Sequence, residues 1–225
     1  MASKPINSKE AERQENLENT LSRTEQFFNE NGKLIWSILA AIVVVGLAVL
    51  GYHKYIYNPK CQEAQMQAVA AENAFAAGEY ELALNGDGND LGFAQIIEDY
   101  GTKAGKAVYL YAGICELQLG NSENAIAWLK KYNGKEPILA ARAAACLGDA
   151  YVNVEDYQAA VKAYKKAIAT ADNQYAASYL YKEGLVYEKL GDKAAALACY
   201  KQIKDKYPQS VEGYDIEKSI AALED

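Results

Sequence analysis

The stretch Leu147–Ala167, LGDAYVNVEDYQAAVKAYKKA, decides the fold. Small and apolar residues stand at Leu147, Gly148 and Tyr151, then at Tyr157, Ala160, Tyr164 and Ala167. This is the periodicity of two amphipathic helices, with a tight turn near Glu155. Gly148 and Ala160 lack bulk, so the helices can approach closely where they cross. Tyr151 and Tyr164 supply large apolar area around that crossing, with hydroxyls that reach water or a carbonyl. Asp156 is placed to cap the second helix by accepting from its free N–H groups.

The pattern recurs on both sides. Upstream, Gly113, Leu119, Gly120, Asn121, Ala125, Ile126, Leu129 and Pro137 hold matching offsets. Downstream, Gly184, Tyr187, Leu190, Gly191, Asp192, Ala196, Leu197, Tyr200 and Pro208 do the same. The anchors Gly113, Gly148 and Gly184 are 35 and 36 residues apart. This set resembles the tetratricopeptide repeat, a helical hairpin of about 34 residues. The resemblance implies an all-α fold whose hairpins stack into a right-handed superhelix. Repeats then fall at 106–139, 141–174 and 177–210. Turns are expected near Gly78, Gly120, Glu155 and Gly191, and no β-structure within 100–208.

Outside these copies the pattern weakens. Residues 58–225 form the repeat domain, with a degenerate first repeat over 60–100. Asn58 is suited to cap a helix and Pro59 to its first turn. Ala77-Gly78-Glu79-Tyr80 with Ala83 is another repeat turn, but its second helix is interrupted by Asn85–Asp90, NGDGND, before a helix over 91–100. A calcium loop needs Gly at its sixth position and Glu at its twelfth. Those positions hold Asp90 and Ile96, so the segment reads as a Gly-rich turn with a helix cap. At the other end, Val211, Tyr214, Ile216, Ile220 and Leu223 give 210–225 a partly apolar face, the capping helix that a terminal repeat needs.

Leu34–Tyr52, LIWSILAAIVVVGLAVLGY, carries no charge. As a helix it is about 28 Å long, near the hydrocarbon thickness of a bilayer. Trp36 at one end and Tyr52, Tyr55 and Tyr57 at the other suit the two interfaces. Residues 34–57 therefore read as a single transmembrane helix with an interfacial flank. The long polar region before it, and the absence of a small-residue cleavage site after it, favour an uncleaved anchor. The tail, 1–33, holds five Lys/Arg and six Asp/Glu. Its Leu17, Leu21, Thr24 and Phe28 have the spacing of a short amphipathic helix, but the favoured reading in water is a largely disordered tail with transient helicity. Residues 53–90 hold only Lys54 and Lys60. That bias puts the N-terminus in the cytoplasm and the repeats outside it.

The formal net charge is −7, and residues 61–225 hold 16 Lys/Arg against 24 Asp/Glu. An acidic domain is a poor partner for nucleic acid. Cys61, Cys115, Cys146 and Cys199 make no CxxC pair and fall at different repeat positions, so small buried apolar roles are expected, without zinc or a repeated bridge. The one histidine, His53, sits at the membrane edge. No nucleophile elbow, HExxH helix or phosphate loop occurs. The expectation is a protein that is not an enzyme, with no catalytic residue, metal, cofactor or small-molecule substrate.

In tetratricopeptide proteins the first helix of each hairpin lines the inner face and holds protein or peptide partners. By the resemblance, that groove comprises Leu110, Ile114, Leu117 and Gln118, then Arg142, Asp149 and Asn153, then Tyr181, Leu185, Glu188 and Lys189. Family members that clasp an acidic C-terminal tail use a Lys/Asn/Lys/Arg set. Arg142 stands near one such position, but Ala145 and Asp149 do not supply the rest. The layout of tail, anchor and repeats resembles the ancillary subunit of the bacterial protein translocase. That likeness implies an inner-membrane protein with periplasmic repeats, working beside translocon subunits or a membrane-bound foldase. An organiser of cell division or peptidoglycan synthesis, and a cytosol-facing adaptor, are the alternative readings.

Overall fold

The structure, a computed structural model, describes the backbone of residues 8–170, 172–173 and 175–224, and side chains from Phe27 onward except Asn29. Its two compact units end and begin at Asn58 and Pro59.

The first unit is helical. Helix α1 spans Ser8–Tyr52 and passes into a π-helical turn, His53–Tyr57. Over the described residues the tail is therefore helical rather than disordered; the side chains of Leu17, Leu21 and Thr24 lie outside them. The helix is long and apolar enough to cross a membrane, with a mean hydropathy of 2.7 over its most apolar window and none of that window buried. Asn58 opens the next helix, but not as a non-helical cap. It is itself helical, and its N–H donates to the His53 carbonyl. Pro59 lies in the first turn of that helix, where its missing N–H costs no intrahelical bond.

The second unit comprises α2 (Asn58–Ala77), α3 (Tyr80–Asn85), α4 (Phe93–Tyr100), α5 (Ala107–Gln118), α6 (Ser122–Lys131), α7 (Pro137–Asn153), α8 (Tyr157–Thr170), α9 (Tyr175–Lys189), α10 (Lys193–Lys206) and α11 (Val211–Glu224). Hairpins α5–α6, α7–α8 and α9–α10 pack in series, each against the first helix of the next. Among the described residues there is no strand, and the isolated bridge Gly86–Leu91 lies outside 100–208.

The four turns share one geometry. Gly78, Gly120, Glu155 and Gly191 all have positive φ. Each donates its N–H three residues back, and the next residue donates five back, as Asp156 does to Tyr151 at 2.9 Å and Asp192 to Tyr187 at 2.9 Å. This pairing satisfies the last carbonyls of the first helix. Asp156 and Asp192 then cap the second helix, accepting from Ala159 at 3.1 Å and Ala195 at 3.0 Å.

Within each hairpin, small residues make room for a ring or a branched chain. A Cβ on Gly148 would lie 2.6 Å from Tyr164 Cε1, on Gly184 2.3 Å from Tyr200 Cε1, and on Gly113 2.6 Å from Leu129 Cγ. The side chain that fills the space opposite Gly148 is thus Tyr164. Ala125, Ala160 and Ala196 form a second buried row. Between hairpins, Lys130 lies over the Tyr151 ring and Lys165 over the Tyr187 ring, each 5.5 Å from the centroid. At the next equivalent seam Lys201 pairs with Glu224 at 2.8 Å.

The first repeat departs from this plan. Ala64, Ala68, Ala71 and Ala74 bury one face of α2, and Phe75, Phe93 and Tyr111 cluster beside it. In the inserted loop the Asp87 carboxylate accepts from the backbone N–H of Asn89 and Asp90. It stabilises the turn rather than capping α4, whose N-cap is Gly92, and α4 starts at Phe93 rather than Leu91. Those N–H bonds also hold the Asp87 carboxyl below its usual range. On α11, Ile216 and Ile220 are buried and Leu223 is half-buried, but Val211 and Tyr214 are 85% and 73% exposed. The capping face is therefore narrower than the sequence pattern suggests.

Candidate peptide-binding groove

Helices α7, α8 and α9 enclose an open cavity of about 550 Å³. Asp149 and Val152 come from α7, Tyr164 from α8, and Lys182, Leu185, Val186, Glu188 and Lys189 from α9. Helical periodicity places Val152 one turn from Asp149, and Leu185, Glu188 and Lys189 within one turn of each other. The walls combine apolar area with a tied set of charges. Tyr164 donates its hydroxyl to Asp149 at 2.6 Å, and Lys182 donates to both Asp149 oxygens at 2.8 Å. Burial, then the Asp149 charge, pushes the Tyr164 phenol well up, so it stays a donor. Glu188 accepts a short bond from the Tyr200 hydroxyl.

Four of the expected groove residues, Asp149, Leu185, Glu188 and Lys189, therefore meet at one cavity. Arg142 lies two turns before Asp149 on α7, exposed and without an ion pair among the described residues. The rest have other tasks. Leu110 and Ile114 are buried against Ala143 and Ala150, where no ligand reaches them, and half-buried Leu117 packs on that cluster. For Leu110 and Ile114 this is a correction: neighbouring side chains cover both, and they are core. Gln118 is exposed at the end of α5. Asn153 donates to Ser122 Oγ at 3.1 Å, bracing two hairpins. Tyr181 is half-buried beside Tyr200, 5.7 Å between centroids, and borders a smaller cavity of about 170 Å³ with Val211, Asp215 and Ser219. Lys182, Val152 and Val186 were not anticipated. The signal for Lys182 was an acid and a base on the first helices of consecutive repeats.

Reactive groups are muted. Burial raises the thiols of Cys115 and Cys199 to about 12 and that of Cys146 to about 11. Cys115 and Cys199 are buried as expected, whereas Cys61 and Cys146 are only half-buried. Among the described residues no group of three His, Cys, Asp or Glu side chains converges as a metal site.

Residues 147–211 match the tetratricopeptide repeat family model, so this stretch is a tetratricopeptide array. Two solved structures, each a crystal structure of MamA, share the fold. One is 22% identical, with a TM-score of 0.57, covering 72% of this chain and 82% of the other. The second is 23% identical, with a TM-score of 0.54, covering 68% of this chain and 86% of the other. At such identity the likeness speaks for the fold alone. No curated protein matches the sequence.

Proposed function

We propose that this protein is a membrane-anchored tetratricopeptide scaffold that holds a segment of a partner protein in the groove between α7 and α9. Leu185 carries the reading. It is 43% exposed at the cavity, on a helix whose buried face is already supplied by Ala177, Leu180 and Val186. An apolar side chain there, beside Lys189 and above the Asp149–Lys182 pair, fits a partner segment with one apolar residue set among polar ones. Tetratricopeptide arrays bind protein partners in this way. The anchor is α1, whose apolar span begins at Leu34. The excess of basic residues in the tail over 53–90 supports a cytoplasmic N-terminus and periplasmic repeats in a bacterial inner membrane. Translocon subunits or a membrane-bound foldase are the partners that this layout favours.

The test is Leu185→Glu with Lys189→Ala in the full chain, cross-linked in membranes and then purified. Helicity and melting should match the wild type while the co-purifying partner is lost. Wild-type recovery of the same partners by the folded variant would remove the groove from consideration. An alkaline phosphatase fusion after Asp225 should be active; an inactive, well-expressed fusion would reverse the topology.

A further inference from the structure

Charge is segregated along the second unit. Residues 58–104 contain eight carboxylates and two lysines. No ion pair involves any of them among the described residues. Helices α6, α8 and α10, the second helices of the three regular hairpins, together contain nine lysines and two carboxylates. Helix α8 alone holds Lys162, Lys165 and Lys166 with no acid.

Some of these lysines serve their own fold. Lys130, Lys165 and Lys201 sit at the inter-hairpin seams, and Lys204 pairs with Glu217. Lys162 and Lys166 do not. They are exposed one turn apart on α8, opposite its buried Ala160, Val161, Tyr164 and Ala167, and neither makes an ion pair among the described residues. The acidic repeat carries its own exposed apolar side chains, Met66, Val69 and Leu82, at 69%, 51% and 39%. They lie among Glu63, Glu72, Glu79 and Glu81 in sequence. Exposed carboxylates interspersed in sequence with exposed apolar side chains match a face that offers paired lysines.

We propose that the lysine face of α8 docks on the acidic first repeat of a second copy of this chain. The complementary charge is built into the same molecule, so every copy carries both halves of the contact. An anionic lipid surface or a nucleic acid is a poorer occupant: residues 61–225 carry eight more acids than bases, and the first repeat would be repelled. The two surfaces differ, so the contact is heterologous and leads to a ring or an open chain, not to a closed two-fold dimer. Because exposed charges drive it, it depends on salt. The screening length falls from about 30 Å at 0.01 M to about 3 Å at 1 M ionic strength.

The experiment uses the full chain in zwitterionic vesicles, as a mixture of isotopically light and heavy copies treated with a carbodiimide that joins lysine to carboxylate. Links between Lys162 or Lys166 of one copy and residues 63–99 of another are expected at low salt, and should fall at least tenfold in 1 M salt. Lys162→Glu with Lys166→Glu should abolish them. Mixing that variant with Glu72→Lys, Glu79→Lys should restore a link between unlike copies through the reversed charges. Absence of intermolecular links at low salt, links indifferent to salt, or failure of the reversed pair to associate would overturn the proposal. So would loss of the links on adding phosphatidylglycerol while the chain stays monomeric, which would assign the lysines to lipid headgroups.

Discussion

Gly184 faces the ring of Tyr200, and a Cβ at this position would lie 2.3 Å from Cε1. The ring cannot yield easily. It is fully buried, stacks with Tyr181, and its hydroxyl is bonded to Glu188. The α9–α10 crossing is therefore set by the absence of a side chain at one residue. Gly184→Leu should lower stability by about 1–3 kcal/mol, the usual range for overpacking a core. Urea unfolding of the full chain in detergent measures it, and an unchanged midpoint would mean that the two helices do not cross here.

Glu155 is the one non-glycine residue with positive φ among those described, at 60°. It occupies the position that Gly78, Gly120 and Gly191 hold in the other turns. A left-handed conformation costs a residue with a Cβ roughly 1–2 kcal/mol, and glycine gives part of this back through its freer unfolded chain. Glu155→Gly should therefore stabilise the protein by about 0.5–1 kcal/mol. A lower unfolding midpoint would show that the exposed glutamate contributes a contact worth more than its strain.

Glu183 is buried, and its nearest cation, Lys165, is 3.9 Å away and largely exposed. Burial raises its carboxyl above the ordinary 4.5, with Lys165 and Tyr187 opposing the shift. The folded state thus holds this proton more tightly than the unfolded chain does. Linkage then gives stability that is highest below 4.5 and declines as pH rises through the folded value. Glu183→Gln copies the protonated shape. Its stability should match the wild type at low pH and exceed it increasingly toward neutrality. Unfolding curves across that range test the sign; a constant gap, or a gap that shrinks with pH, would contradict it.

The hairpins were legible because their signals are local. Positive φ selects glycine at three of the four turns, and an aspartate caps the second helix at Asp156 and again, 36 residues on, at Asp192. What local chemistry does not carry was less legible. The sequence placed Tyr164 near the crossing at Gly148, but only the fold shows its ring, from sixteen residues away, directly against that glycine. Asn58-Pro59 does open α2, but Asn58 is itself helical and follows a π turn directly instead of capping from outside the helix. The groove was half legible. Ile114, Asp149 and Leu185 each follow the anchoring glycine, yet one is buried, one half-buried and one exposed. Equivalent positions in a repeat share a backbone but not their neighbours. Phe75 and Ala143 cover the first of them, and no comparable layer covers the last.

Occupation of the groove is tested most directly by a photo-reactive phenylalanine analogue at Leu185, compared with the same analogue at Asn124, which is exposed on α6 and lies on neither proposed surface. Irradiation of membranes that hold the full chain should give a discrete adduct with another protein from position 185 and none from position 124. The 185 adduct should weaken when Lys189→Ala is added. No adduct from 185, or equal adducts from both positions, would contradict a partner held between α7 and α9.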